Sequence, residues 1–141
     1  MNGAPDAGSV ELSDLIAGVN RRLDTAVETR LKPAGVRIEQ FRVMASLERR
    51  DGQSMGELAP SVFVDLPTLT KIVDRMVSNG LVYRAPDPRG RRRVLVVLSD
   101  KGRRHLRELG PLVETERRQV IDTLSPSEAS QLSHLLRGIL S

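Results

Sequence analysis

Four arginines within five positions are the residues of this chain best suited to bind a charged partner: Arg89, Arg91, Arg92 and Arg93. An unbroken apolar run, Val94 to Leu98, follows them directly. Between Arg84 and Arg104 there are eight basic and two acidic residues, a local charge of +6, whereas the whole chain carries +4. Positive charge confined to one segment is typical of a surface that binds a polyanion, because the neutralised phosphates release counterions.

A second group of polar side chains lies just upstream, on a helix predicted from about Asp65 to Asn79-Gly80. At roughly 100° per residue, one side of this helix carries the apolar residues Leu66, Leu69, Ile72, Val73, Met76 and Val77. The other side is left with Pro67, Thr68, Thr70, Lys71, Asp74, Arg75 and Ser78. Lysine and arginine can donate to guanine, and threonine offers a hydroxyl to phosphate or a methyl to thymine. Any surface helix can carry such residues, so the position directly before the arginines is what favours nucleic acid.

The elements that must position both groups are predicted from apolar periodicity and from capping signals. The pattern Ser54-x-x-Glu57 is a capping box that opens a short helix, and Ser125-x-x-Glu128 is a second one. We expect helices over 10–31, 38–47, 55–60, 65–79, 100–124 and 126–140, the fifth interrupted or bent near Gly110-Pro111, and strands over 81–85 and 93–98. A short helix, a longer helix and a hairpin in this order predict a mainly α fold: a winged helix-turn-helix with a two-stranded wing.

The terminal helices lie outside this lobe and carry apolar stripes of their own. We divide the chain into a flexible leader (1–9), an N-terminal dimerisation helix (10–34), the winged helix-turn-helix lobe (35–100) and C-terminal helices of the dimerisation region (101–141). A lone subunit would expose the stripes, which soluble proteins avoid, so a two-fold dimer is predicted. The alternative is that both helices pack against their own domain.

Composition excludes several classes of function. The chain has no cysteine, and His105 and His134 are 29 positions apart, so no metal site or thiol chemistry is predicted. No phosphate loop, carboxylate pair or nucleophile elbow is present, so we expect neither an enzyme nor a cofactor. No apolar stretch reaches the roughly 20 residues of a membrane span and no signal peptide is recognised, which predicts a cytoplasmic protein that does not contact membranes.

The stretch DLPTLTKIVDRMVSNGLVYRAPDPRGRRRVLVVLSDKG, residues 65–102, resembles the recognition helix, wing and following helix of the MarR family of bacterial transcriptional regulators. The family's wing pattern D-x-R-x-x-R falls on Asp87, Arg89 and Arg92. The resemblance implies a homodimer that binds a pseudo-palindromic operator in double-stranded DNA and usually represses. It also implies a small-molecule effector, often an aromatic or phenolic acid, bound between the dimerisation helices and the DNA-binding lobe.

The resemblance also implies roles for individual residues. The recognition helix and the segment leading to it would contact DNA through Ser54, Pro67, Thr68, Thr70, Lys71 and Arg75. The wing would contact DNA through Arg89, Arg91 and Arg92, with Arg92 also bracing the wing against Asp87 or Asp74. Gly90 stands where many relatives carry aspartate, which raises the net charge of the wing tip.

The effector is the least defined part of this interpretation. No ligand-binding residues are marked, and the only aromatic residues are Phe41, Phe63 and Tyr83, so an aromatic-lined pocket is not predicted. Two alternatives stay open beside the ligand-responsive repressor. One is a DNA-binding regulator without an effector, and the other is a winged-helix module that contacts an acidic protein.

Overall fold

The structure is a computed structural model that describes residues 7–141, and in this range it contains six α-helices and three strands. The N-terminal half consists of α1 (Ala7–Leu31), a 3₁₀ turn (Lys32–Ala34), α2 (Ile38–Arg49), β1 (Gln53–Ser54) and α3 (Met55–Val62). The C-terminal half consists of α4 (Leu66–Ser78), β2 (Val82–Pro86), β3 (Val94–Leu98), α5 (Asp100–Ile121) and α6 (Pro126–Leu140).

Helix α1 begins earlier than its apolar stripe. The expected leader covers residues 1–9, but Ala7 to Ser9 are helical, and residues 1–6 lie outside the described part. Extending an existing helix by one turn adds a hydrogen bond for each residue fixed and needs no new nucleus. The apolar pattern therefore marks only one face of α1, and the helix itself continues beyond the first residue of that pattern.

The sheet has three strands where the sequence predicted a two-stranded wing. Its order is β1-β3-β2 with antiparallel pairing, so the hairpin β2-β3 gains a third strand through the pairs Gln53–Val96 and Ser54–Leu95. The buried Gln53 amide donates to the carbonyl of Ser46 at 3.0 Å and to that of Arg50 at 2.7 Å. A two-residue strand that exists through its pairing with the distant β3 has no periodicity to reveal it.

Helix α5 runs without interruption through Gly110 and Pro111, contrary to the break or bend that was predicted there. Proline removes one backbone hydrogen bond from a helix interior. Here Leu109 and Val113 flank that site and are both buried in the core, so packing holds the helix together across the missing bond.

The start of α5 lies very close to the residues that begin and end the hairpin. A Cβ added at Gly102 would lie 2.6 Å from Cδ1 of Leu98 and would fall against the carbonyl oxygen of Leu81. Only glycine therefore lets α5 approach the sheet this closely.

One hydrophobic core underlies the winged lobe. It takes side chains from α2, α3, α4 and the sheet, from the end of α1 (Val27 and Leu31) and from α5 as far as Val113. Helix α4 contributes Leu69, Val73 and Met76. Leu66 and Val77, which were predicted on the same side, are exposed because they lie at the two ends of the helix, beyond the edge of the core.

Two apolar surfaces have no partner within residues 7–141. Helix α1 buries only Val27 and Leu31, and α6 buries no side chain. The residues left exposed are Val10, Leu12, Leu15, Ile16 and Val19 on α1, and Leu132, Leu135, Leu136, Ile139 and Leu140 on α6. We refer to these ten residues as the terminal apolar surface.

Candidate nucleic-acid interface

Helix α4 starts at a well-defined cap. Asp65 accepts a hydrogen bond at Oδ1 from the backbone N–H of Thr68 at 2.7 Å, and Pro67 occupies the first turn, where its missing N–H is not needed. Hydrogen bonds from Thr68 lower the pKa of Asp65, so the cap stays ionised at neutral pH. The first turn of α4 is therefore fixed in place.

The outer face of α4 presents the residues that the sequence predicted. All five are exposed: Pro67, Thr68, Thr70, Lys71 and Arg75. The Thr70 hydroxyl donates to the carbonyl of Leu66 at 2.9 Å, so towards a ligand it offers an acceptor oxygen and a methyl group. Lys71 and Arg75 lie four positions apart and so project from neighbouring turns of one face. This face combines two positive charges with groups able to contact base edges.

The wing turn between β2 and β3 is organised by Asp87. The backbone N–H of Arg89 donates to Asp87 Oδ1 at 2.9 Å, and the N–H of Gly90 donates to the carbonyl of Asp87 at 3.1 Å. Gly90 adopts a positive φ of 75°, a conformation that glycine takes without strain. Arg89, Arg91 and Arg92 are exposed around this turn. The tip thus presents three guanidinium groups from a hydrogen-bonded loop.

The residue that braces the wing is Arg93, and the expectation that Arg92 does so is wrong. Arg93 Nε donates to Asp87 Oδ2 at 2.8 Å, and its Nη1 donates to Glu57 Oε1 at 2.5 Å. The Asp87 side chain is fully removed from solvent. Hydrogen bonds from the backbone of Arg89 and from the Arg93 side chain lower the pKa of Asp87, and the hydrogen bond to Asp87 raises the pKa of Arg93. Arg93 therefore ties the wing to α3.

Asp74 has a different partner from the one predicted. It accepts a hydrogen bond from Arg84 of β2, with 2.5 Å between Arg84 Nη2 and Asp74 Oδ1. This pair connects α4 to the hairpin. Together with Arg93–Glu57, it holds α4 and the wing to the same lobe through two separate ion pairs.

Ser54 is the N-cap of α3. Its Oγ accepts from the backbone N–H of Glu57 at 3.3 Å and donates to Glu57 Oε1 at 3.0 Å. The hydrogen bond from Ser54, supported by the charges of Arg93 and Arg50, lowers the pKa of Glu57. The structure thus shows Ser54 holding the carboxylate that Arg93 uses, while its predicted contact with DNA stays a prediction.

One cation beside α4 was missed by the sequence interpretation. Arg37, the N-cap of α2, lines a cleft of about 220 Å³ together with Lys71 and Arg75. Its ion pair with Glu39 is long, at 3.9 Å, and its side chain is largely exposed. Arg37 is 34 positions away from Lys71, so no local spacing could associate them. Arg37 adds a third positive charge beside the face of α4, and Glu39 in the same cleft offsets part of it.

Other kinds of site find no support in the described residues. Within 7–141, no group of three or more histidine, aspartate and glutamate side chains could hold a metal ion. None of the helices described is both long enough and apolar enough to cross a membrane. The exposed lysine and arginines that are predicted to contact DNA lie on α4 and the wing.

A short helix, a longer helix with an exposed polar face and a hairpin with an arginine-rich tip define a winged helix-turn-helix DNA-binding protein. Comparison with known proteins gives the same class. A sequence model of the MarR family matches residues 36–94, from the start of the helix-turn-helix to the second strand of the wing.

Individual relatives extend the match to nearly the whole chain. The multiple antibiotic resistance protein MarR of Escherichia coli (strain K12) is 32% identical over 132 residues, which are 93% of this chain and 92% of that protein. The crystal structure of a mutant E. coli MarR complexed with operator DNA has a TM-score of 0.86 at 30% identity, covering 99% of this chain and 100% of that one. The transcriptional repressor NicR of Pseudomonas putida (strain KT2440) is 30% identical over 101 residues, 72% of this chain and 64% of NicR.

The chain therefore belongs to the MarR family, as the resemblance over residues 65–102 implied. It is a DNA-binding transcriptional regulator with the winged helix-turn-helix fold of that family.

Proposed function

We propose that this protein is a homodimeric repressor that binds a pseudo-palindromic operator and is released from it by a small molecule. The observation that carries the proposal is the pair of exposed basic groups, on α4 and on the wing, joined to one lobe by Asp74–Arg84 and Glu57–Arg93. A rigid link between the two lets the helix read bases in the major groove while the wing tip contacts the neighbouring backbone or minor groove. Repression is favoured by the similarity to NicR, which is named a repressor.

The terminal apolar surface supports the dimer. Ten large apolar side chains exposed on α1 and α6 exceed what a soluble monomer leaves in water. A two-fold arrangement would cover both helices at once and would place two recognition helices on one duplex. Light scattering should give twice the 15.6 kDa of one chain; a mass of one chain at micromolar concentration would contradict the dimer.

The protein acts by binding rather than by catalysis, and it works in the cytoplasm, where its DNA is. Both statements rest on its membership of a family of regulators. Of the three interpretations that the sequence left open, the module for an acidic protein partner loses support, because the relatives named above are regulators of transcription.

Operator binding tests the proposal directly. Duplexes from the DNA flanking the gene are titrated with the protein at several salt concentrations, with random duplex as competitor. We expect one flanking duplex to outcompete random DNA, with log K falling by about 0.9 for each phosphate contacted per tenfold increase in salt. If no flanking duplex competes better than random DNA, the proposal of a specific operator is wrong.

A further inference from the structure

The cleft between the start of α2 and the middle of α4 collects hydrogen-bond donors that the protein itself does not use. It has a volume of about 220 Å³ and is lined by Arg37, Glu39, Gln40, Lys71, Ile72 and Arg75. We refer to it as the α2–α4 cleft. Lys71 and Arg75 belong to the outer face of α4, whereas Arg37 and Gln40 come from a helix that the sequence interpretation did not connect with DNA.

Arg37 stands at a helix position where an arginine leaves backbone groups without a partner. It is the N-cap of α2, with φ −89° and ψ 156°, and its side chain makes no capping hydrogen bond. An N-cap is normally serine, threonine, aspartate or asparagine, because the side-chain oxygen accepts a hydrogen bond from the first turn. A guanidinium has no acceptor. The first-turn N–H groups of α2 therefore remain available to an anion at the positive end of the helix.

Gln40 is a buried polar side chain with a donor that has no partner. The residue is 3% exposed, and its Oε1 accepts a hydrogen bond from the backbone N–H of Arg37 at 3.1 Å. Within residues 7–141, no acceptor pairs with the NH2 group of the same amide. Buried polar groups are nearly always satisfied by protein, by water or by a ligand. Because Gln40 lines the α2–α4 cleft, an acceptor that enters the cleft would complete its hydrogen bonding.

Carboxylates do not balance the positive charge of the cleft. Within residues 7–141, neither Lys71 nor Arg75 forms an ion pair. Glu39 lies 3.9 Å from Arg37 Nε, and the arginine side chain is 72% exposed. An exposed pair at this distance contributes little free energy, so Arg37 can turn from Glu39 towards a stronger anion. Three cations against one carboxylate give the lining a net charge of +2.

The α2–α4 cleft lies on the flank of α4. Ile72 of its lining packs against the hydrophobic core, so the cleft is found where the exposed face of α4 meets the core. An α-helix with its side chains is about 10–12 Å wide, and the major groove is about 12 Å wide. A helix that fills the groove therefore has the phosphates of the groove edge against its flanks, which is where this cleft opens.

We propose that the α2–α4 cleft clamps one phosphate of the DNA backbone at the edge of the major groove, held by Arg37 and the Gln40 amide beside Lys71 and Arg75. Phosphate oxygens accept hydrogen bonds from guanidinium and from side-chain amides, and those from a cation are the stronger ones. The clamp fixes the angle at which α4 enters the groove and reads no base, so Arg37 is a positioning residue. The inference rests on the DNA binding of the proposed function but not on a specific operator.

The first test measures binding of the full chain to a random duplex by fluorescence anisotropy at several salt concentrations. Arg37→Gln removes the charge and keeps a long polar side chain. We expect its affinity to fall about three- to tenfold, and its salt slope to drop by about 1 for each cleft that contacts DNA. An affinity and a salt slope equal to those of the parent would overturn the clamp.

Two further variants tie the result to the cleft. Arg49→Gln changes an exposed arginine in the last turn of the same helix, about 18 Å from Arg37 at 1.5 Å per residue, and should alter affinity less than about twofold. Equal losses in Arg37→Gln and Arg49→Gln would mean that net charge alone is responsible and would refute the clamp. Glu39→Gln removes the competing carboxylate and should tighten binding about two- to threefold; weaker binding would contradict a phosphate beside Glu39. All three variants change exposed side chains, so their thermal midpoints should stay within about 2 °C of the parent.

The second test locates the phosphate. Operator duplexes carry a neutral methylphosphonate at one backbone position at a time, and each duplex is titrated with the parent and with Arg37→Gln. In each half-site we expect one position where the neutral group weakens binding by the parent about three- to tenfold, and by the variant less than about twofold, because the variant has already lost that contact. If every position weakens both proteins alike, Arg37 holds no phosphate and the clamp is wrong.

A free phosphate ion offers the same oxygens as the DNA backbone. Inorganic phosphate titrated without DNA should show no saturable binding at micromolar concentration. Such binding, if lost in Arg37→Gln, would make the cleft a site for the free anion and overturn its role on DNA. The random duplex separates this inference from the proposed function: if no flanking duplex outcompetes it, the specific operator is wrong and the salt slope still decides the clamp. An unchanged slope with a specific operator overturns the clamp alone.

Discussion

Arg93 and Asp87 meet at the base of the wing, with 2.8 Å between Nε and Oδ2, and the carboxylate lies entirely out of solvent. The same guanidinium reaches Glu57 of α3. One side chain therefore closes the wing loop and fastens it to the helix-turn-helix. Of the four clustered arginines, only Arg93 is used in this way. The other three, Arg89, Arg91 and Arg92, remain exposed.

Replacing Arg93 by alanine should destabilise the fold, because it leaves the buried Asp87 carboxylate without its cation. We expect the thermal midpoint to fall by several degrees, about 3–8 °C. Arg92→Ala is the matched control, since Arg92 is adjacent and exposed, and its midpoint should stay within about 2 °C of the parent. A larger loss for Arg92→Ala than for Arg93→Ala would mean that the bracing residue is the one suggested by the family pattern.

The loss of stability at acidic pH should depend on Asp87. In the folded protein the pKa of Asp87 lies below its ordinary value of about 3.9. The ionised carboxylate therefore stabilises the fold fully at a pH above this ordinary value, and the stabilisation is lost as the pH falls through the lower pKa of the folded state. The free energy of unfolding, measured by denaturant at a series of pH values, should be nearly constant from pH 7 to about 5 and fall below about 4. Asp87→Asn should reduce that fall; an unchanged fall would contradict the assignment.

The two glycines of α5 should respond differently to alanine. Gly102→Ala places a methyl against Leu81 and Leu98, and overpacking of this kind typically costs about 1–3 kcal/mol. At Gly110 an added Cβ meets no atom within 4 Å apart from its chain neighbours and its own helix backbone, so the gain in helix propensity is offset only by the contact with the Pro111 ring, and Gly110→Ala should change stability by less than about 1 kcal/mol. Denaturant unfolding of both variants checks this. Equal effects would mean that the close approach at Gly102 is absent in solution.

Shortening a basic side chain on the wing and shortening one on α4 should change DNA binding in different ways. Arg91→Ala removes an exposed charge at the wing tip, so affinity should fall for all duplexes alike and the salt slope should drop by about 1. Lys71→Ala should also change the preference between operator and mutated operator, by about 1–3 kcal/mol for each base that the lysine reads. Binding by both variants is measured against a panel of operator variants. Uniform weakening in both would mean that α4 reads no bases.

The amphipathic elements were predictable from sequence because their signals are local. The stripe of α4, the caps at Asp65 and Ser125 and the hairpin all depend on residues within a few positions of one another. The identity of the brace was not predictable, because Arg92 and Arg93 are equivalent in spacing and only the strand register decides which one turns towards Asp87. Arg93 also donates to Glu57, which lies 36 positions away, so local spacing could not reveal this second partner.

Other features were missed because tertiary contacts overrule local signals. Strand β1 exists only by pairing with β3, and α5 continues past Pro111 because its neighbours are buried. Phe41 of α2 and Phe63 at the end of α3 line one cleft together with Arg117 of α5, although no local spacing connects the three. Composition gives the number of aromatic residues in a chain, but it carries no information about where the fold places them.

In the part of the chain that the structure describes, α6 buries none of its side chains. A second molecule that covers this helix would add stabilising free energy that scales with the logarithm of that molecule's concentration. When the second molecule is another copy of the chain, the number of copies in the cell controls how much of the protein is dimeric. Dilution by cell growth would weaken the dimer and its hold on DNA together, so the amount of this regulator helps to determine whether it can act at all.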